Sequence, residues 1–122
     1  MANGKIISQT RNLLEVALLD AQSATSTGAW IEVPAHLNLW SVTTTNLEEG
    51  ATDALVDIHV SNAESKPADA TAGEDTWVKL TNVATAVLSN EGIGGYKYVK
   101  AVKTAGTTPI ATTVIFRAMP SR

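Results

Sequence analysis

The sequence predicts an all-β fold, an antiparallel β-sandwich of jelly-roll type with roughly seven or eight short strands. Three observations predict it. Residues 55–62, LVDIHVSN, alternate apolar Val56, Ile58 and Val60 with polar Asp57, His59 and Ser61, a period of two that only a half-buried strand has. The stretches 36–45 (HLNLWSVTTT) and 96–104 (YKYVKAVKT) are rich in the β-branched and aromatic residues that suit a pleated surface, and with 55–62 they read as the central sheet. Turn signals recur between such stretches at near-regular spacing, and no long helical window interrupts them.

A chain of 122 residues forms one domain, here read as an N-terminal arm over 1–11 and a sandwich over 12–122. A domain of that size buries roughly two-thirds of its unfolded surface. With no cysteine, a disulfide framework, thiolate metal sites and cysteine nucleophiles are excluded together. Aromatic residues are few (Trp30, Trp40, Trp77, Tyr96, Tyr98, Phe116), so the core must be largely Val, Ile, Leu and Ala. The net charge of −3 hides an asymmetry: all 12 acids lie in residues 1–93, while 94–122 hold Lys97, Lys100, Lys103, Arg117 and Arg122 and no acid. Either the C-terminal strands meet acidic strands within the molecule, or they present a basic patch to an acidic neighbour. A nucleic-acid surface would need a net basic domain with clustered Arg, and none is expected. No apolar run reaches membrane-spanning length, and Lys5 followed by only Ile6 and Ile7 makes no signal peptide, so a soluble chain without membrane contact is expected.

Along the chain, residues 6–18 fit a helical stripe (Ile6, Ile7, Thr10, Leu13, Leu14, Ala17, Leu18) and also an alternating strand (Leu14, Val16, Leu18). The polar turn AQSATSTG (21–28) and the β-like AWIEVP that follow favour an extended arm and then a loose hairpin, closed by Pro34, which cannot donate to a ladder. Residues 36–45 and 55–62 should form a second hairpin through NLEEGATD (46–53) and Gly50. AESKPADATAGED (63–75) is long for a connection inside a domain and is read as functional or mobile. TWVKL (76–80) and VATAVL (83–88) are short strands, NEGIGG (90–95) a turn, and 110–118 the last strand before a frayed MPSR end.

Asp57, His59 and Ser61 present the three residue types of a hydrolase triad on one strand face. Side chains in such a row stand parallel about 7 Å apart, whereas a triad needs convergent hydrogen bonds. A solvated sheet face is the ordinary reading. Asp57 and His59 as metal ligands would need His36 and Asp53 as well. Glu48 and Glu49 read as solvated loop acids, and GIGG (92–95) lacks the spacing and following helix of a phosphate loop. No catalytic residue, metal or cofactor is assigned. The tryptophans offer a sugar-stacking platform, against the more common role of core plug or interface anchor.

The succession LLDAQSATSTGAWIEV, LVDIHVSN, TWVKL and GGYKYVKAVKTAG followed by a terminal strand resembles small tailed-phage virion proteins over about residues 13–117. Met1 to Asn12 departs from that pattern. The resemblance implies a non-enzymatic role, most like that of capsid decoration (cement) proteins, which bind as oligomers outside the head. It implies a homo-oligomer (dimer or trimer), a major capsid protein as partner and a place on the virion exterior after synthesis in the host cytoplasm. The candidate partner interface comprises Lys5, Ile6, Ile7 and Arg11 of the arm with Trp30, Trp40, Tyr96 and Tyr98. Other readings are a tail or head-to-tail joining component, a carbohydrate-binding module and, last, a small hydrolase.

Overall fold

The structure is a computed structural model and describes residues 4–46, 55–80, 88–93, 95–105 and 111–120. The alternating stretch becomes a strand, β6 (Leu55–Ser61), with Val56, Ile58 and Val60 fully buried and Asp57 and His59 half-buried on the opposite face. The other strands are β1 (Lys5–Thr10), β2 (Leu13–Gln22), β3 (Ser26–Thr27), β4 (Ile31–Glu32), β5 (Leu39–Asn46), β7 (Asp75–Leu80), β8 (Leu88–Ile93), β9 (Tyr98–Thr104) and β10 (Thr112–Met119). No helix occurs among the described residues.

The strands form two five-stranded antiparallel sheets. Sheet A runs β1-β2-β10-β5-β8. Sheet B runs β3-β9-β6-β7, with β4 also on β9. The pairs nest about β6–β7: β5 pairs with β8, β3 and β4 with β9, and β2 with β10. This is one long hairpin rolled up so that its strands alternate between sheets, a jelly roll.

That topology corrects both expected hairpins. β2 and β4 lie in opposite sheets, as do β5 and β6, so neither pair shares a ladder. Residues 55–61 and 98–104 do pair, but residues 39–46 belong to the other sheet. Pro34 falls just beyond β4, where its missing donor disturbs no ladder. The turn expected over 90–95 is instead mostly β8, paired through its backbone to β5 with Leu39 opposite Ile93. The strand expected over 83–88 lies outside the described residues except for Leu88, as do Glu48, Glu49, Gly50 and Asp53.

The N-terminal stretch is extended, as expected, and not helical. It is also paired: β1 forms a hairpin with β2 through Arg11 and Asn12 and becomes an edge of sheet A. The β2 part of the helix-like stripe over residues 6–18 has a physical cause. The β2–β10 register shifts twice, between Thr112 and Val114 and between Val114 and Ile115, and a shift of one residue exchanges the two faces of a strand. Leu18 and Leu19 are therefore both buried. Ala21 takes a positive φ of 51° there, and its N–H donates to Thr113 Oγ1 at 3.1 Å.

Between the sheets lie Leu14, Val16 and Leu18 of β2, Val42 of β5, Val114 and Ala118 of β10, and Val56, Ile58, Val60, Val99 and Ala101 of sheet B. Trp40 meets Phe116 edge-on at 5.1 Å and Trp77 at 5.4 Å between ring centroids. Three aromatic rings thus join β5 and β10 to β7, a geometry worth about 0.5–1.5 kcal/mol per pair beyond burial.

Candidate functional site

Two surfaces hold most of the candidate residues: the β1 edge of sheet A and the outer face of sheet B. At the edge, Lys5, Ile6, Ile7 and Arg11 are all exposed, with Ile6 and Ile7 retaining 50% and 49% of their accessible surface. The ladder from β1 to β2 shifts register between Ile6 and Ser8. Beneath the two isoleucines a hollow of about 350 Å³ is lined by Ala17 and Ile115 of the outer sheet face, with Lys5 and Asp20 at its rim. The start of β1 is seated on sheet B as well: a Cβ at Gly4 would lie 3.0 Å from Ile31 Cδ1 and 3.2 Å from Ala29 Cβ, at a φ of +74°. The edge strand is thus held both by β2 and by the β3–β4 segment.

The other candidate interface residues are not gathered with these. Trp30 and Trp40 each keep 1% of their surface and Tyr98 is buried; Tyr96 is half-buried. Burial puts Trp30, Trp40 and Tyr98 out of a partner's reach and leaves the sugar platform without two of its three rings. Trp40 Nε1 donates to Leu37 O at 2.8 Å, as a core tryptophan requires. Tyr96 borders a cleft of about 390 Å³ floored by Val33, Leu37 and Trp40 and edged by Glu32 and Lys97.

On the outer face of sheet B, two of the three side chains resembling a triad, His59 and Ser61, bond elsewhere. His59 Nδ1 accepts from the Gly73 N–H at 3.2 Å. Ser61 Oγ donates to Glu74 Oε2 at 2.9 Å and accepts from the Ala63 N–H at 3.1 Å. No hydrogen bond joins His59 to Ser61 among the described residues, and no three potential metal-ligating side chains converge there. His36, the proposed distant ligand, is engaged through Nε2 with Arg11 O at 2.6 Å.

The residues that sequence reading missed are two buried lysines of β9. Lys100, on the outer face, directs Nζ to Asp69 O and Thr71 O of the 62–74 loop and lies 4.8 Å from the Trp30 ring centroid. Lys103 points between the sheets and donates to Gln22 O at 2.7 Å, Ser23 O at 3.2 Å and Thr112 Oγ1 at 3.0 Å, closing one end of the sandwich. Desolvation lowers the pKa of each below the ordinary lysine value, and Asp69 opposes the effect at Lys100. Alternation would have revealed Lys103, which shares the parity of buried Val99 and Ala101. Arg117 pairs with Glu15 across β10 and β2, and Lys97 Nζ donates to Glu64 O at 2.8 Å. The basic C-terminal strands thus engage groups within the molecule.

Neither a protein-family model nor a curated protein matches the chain. Among solved structures, one from Bacillus endospore appendages, described as a novel family of disulfide-linked pili, aligns over 94% of this chain and 98% of its own, at 12% identity and a TM-score of 0.36. That likeness is too slight to carry an argument, and this chain has no cysteine with which to form a disulfide.

Proposed function

We propose that this chain is a non-enzymatic structural protein of a tailed-phage virion, a capsid decoration protein that binds the head exterior as a homo-oligomer and stabilises it. The observation that carries this reading is β1. It is the outermost strand of sheet A, so one side of its backbone lacks a strand neighbour among the described residues, and it holds Ile6 and Ile7 half-exposed over a shallow hollow. An ordered apolar edge is a template for association with another chain. Covering the remaining half of two isoleucines contributes roughly 2–3 kcal/mol, and little is lost to ordering because the strand is already paired. The register shift at Ile7 and the charge of Lys5 restrain indiscriminate edge-to-edge growth, which suits a partner of matching shape. The resemblance of the strand succession to virion proteins supplies the setting.

The test is location. Virions of the phage encoding this chain, labelled with gold-tagged antibody raised against it, should carry label over the head surface. Label confined to the tail or neck would favour the joining-component reading. Absence of the chain from purified particles would overturn the virion assignment.

A further inference from the structure

The 62–74 loop between β6 and β7, which holds most of the 63–75 stretch read from sequence as functional or mobile, lies fastened across the outer face of sheet B. Lys97 secures its beginning, through Nζ to Glu64 O and through its N–H to Asn62 Oδ1 at 3.0 Å. Lys100 secures its middle through the carbonyls of Asp69 and Thr71, while Asp69 Oδ1 accepts from the Trp30 N–H at 3.3 Å. Its end is secured by Glu74 on Ser61 and by the Gly73 N–H on His59 Nδ1. The carbonyl acceptors of Glu64, Asp69 and Thr71 carry no titratable proton. The His59 fastening is different, because it needs a neutral ring with its proton on Nε2.

We propose that the 62–74 loop is an acid-released strap, closed over sheet B only while His59 is neutral. Protonation makes both ring nitrogens donors, so the Gly73 N–H would face another N–H. Gly73 packs closely against β6 and β7 in the closed strap: a Cβ there would lie 2.8 Å from His59 Cβ and 2.9 Å from both Asp75 O and Val60 O. The second consequence is electrostatic. His59 stands opposite Lys100 in the β6–β9 ladder, so a charged imidazole repels the cation that holds the middle of the strap. Lys79, from β7, adds to that repulsion, and Asp57, on the same strand as His59, opposes it. The strap brings Glu74 and Asp69, but these are bound to Ser61 and to the Trp30 N–H. One proton therefore weakens two fastenings, and the face uncovered holds Lys100 and Trp30.

The sign follows from these contacts. Burial, then Lys100, lower the pKa of His59 while the strap is closed. Opening the strap relieves the burial, so the open form has the higher pKa and binds the proton first. Closure is undiminished above the open form's pKa, weakens as pH falls below it and levels off beneath that of the closed form.

The experiment is amide hydrogen exchange of the full chain by NMR from pH 8 to 5, corrected for the intrinsic exchange rate. Protection of Gly73 and its strap neighbours should be constant above about pH 7 and fall by up to tenfold per pH unit below about 6.5, while β6 and β9 amides stay protected. H59Q should abolish the pH dependence, and H36Q, altering the other histidine, should retain it. In the wild type, ¹⁵N shifts of the His59 ring should titrate in step with the Gly73 amide, a readout that does not depend on either variant folding. Constant strap protection across the range, an undiminished fall in H59Q, or a His59 ring that titrates out of step with Gly73 would overturn the proposal.

Discussion

Lys103 carries an ammonium group into the gap between two apolar sheets, and its stem shares the interior with Val99 and Ala101. Three oxygens from β2, its following turn and β10 receive its hydrogen bonds. Lys103→Met would keep much of the stem's packing but leave these acceptors without their donor, a loss of about 1–3 kcal/mol, measurable as a lower urea midpoint with unchanged slope. The same lysine and Lys100 give stability a slope at high pH. Their pKa values are lowered on folding, so the unfolded chain holds these protons to higher pH than the folded one. Their contribution should therefore rise with pH between the lowered values and the ordinary value of about 10.4. Urea midpoints collected from pH 8 to 10 should show this rise relative to the K100M/K103M double variant; parallel profiles would contradict it. At this scale the sequence was legible wherever alternation was regular. Val56, Ile58 and Val60 stood out at once, and Leu18 with Leu14 and Val16, whereas Leu19 did not, because register shifts against β10 bury neighbours that alternation would place on opposite faces.

Strand positions were easier to read than strand partners. The strands expected near 36–45, 55–62, 76–80, 96–104 and 110–118 all exist, trimmed or shifted by a few residues. Their partners were misjudged because a polar, glycine-bearing connection looks the same whether it closes a hairpin or carries the chain over to the opposite sheet. β8 was hidden for a related reason. Its Asn90 and Gly92 resemble turn residues, but an edge strand pairs through its backbone and tolerates them. Gly28 marks one crossing between elements whose packing is strict. Its N–H donates to Ala101 O at 2.8 Å, and an added Cβ would lie 2.8 Å from Leu18 O and 3.0 Å from Ala101 O. Those contacts are backbone atoms and cannot turn away. Gly28→Ala should cost about 1–3 kcal/mol, read by chemical denaturation; a change within about 0.5 kcal/mol, as at an ordinary surface position, would contradict the close approach of β9 to the β3–β4 connection.

At the scale of the molecule, nested pairing makes the outermost partners distant in sequence: β2 closes on β10 with Gln22 opposite Thr112. Loops of that length must close before their contacts form, which places folding in the slow, millisecond-to-second range of β topologies. The same roll leaves β1 as an edge strand with two exposed isoleucines, and that edge is the physical basis of the proposed role in assembly. Of the candidate residues, the exposure of Lys5, Ile6, Ile7 and Arg11 was legible, because the two adjacent isoleucines lie between bases and among small polar residues. The burial of Trp30, Trp40 and Tyr98 was not, since an aromatic residue in a strand reads alike as core plug or anchor until its sheet and face are known.

The β1 edge is proposed to join this chain to others, and sedimentation velocity of the pure protein over a concentration series tests this directly. The wild type should sediment as an oligomer. I6K/I7K, altering two exposed side chains at little cost in stability, should keep the wild-type circular dichroism and weaken association at least tenfold. A monomeric wild type, or equal association by the folded double variant in the same salt, would contradict the claim.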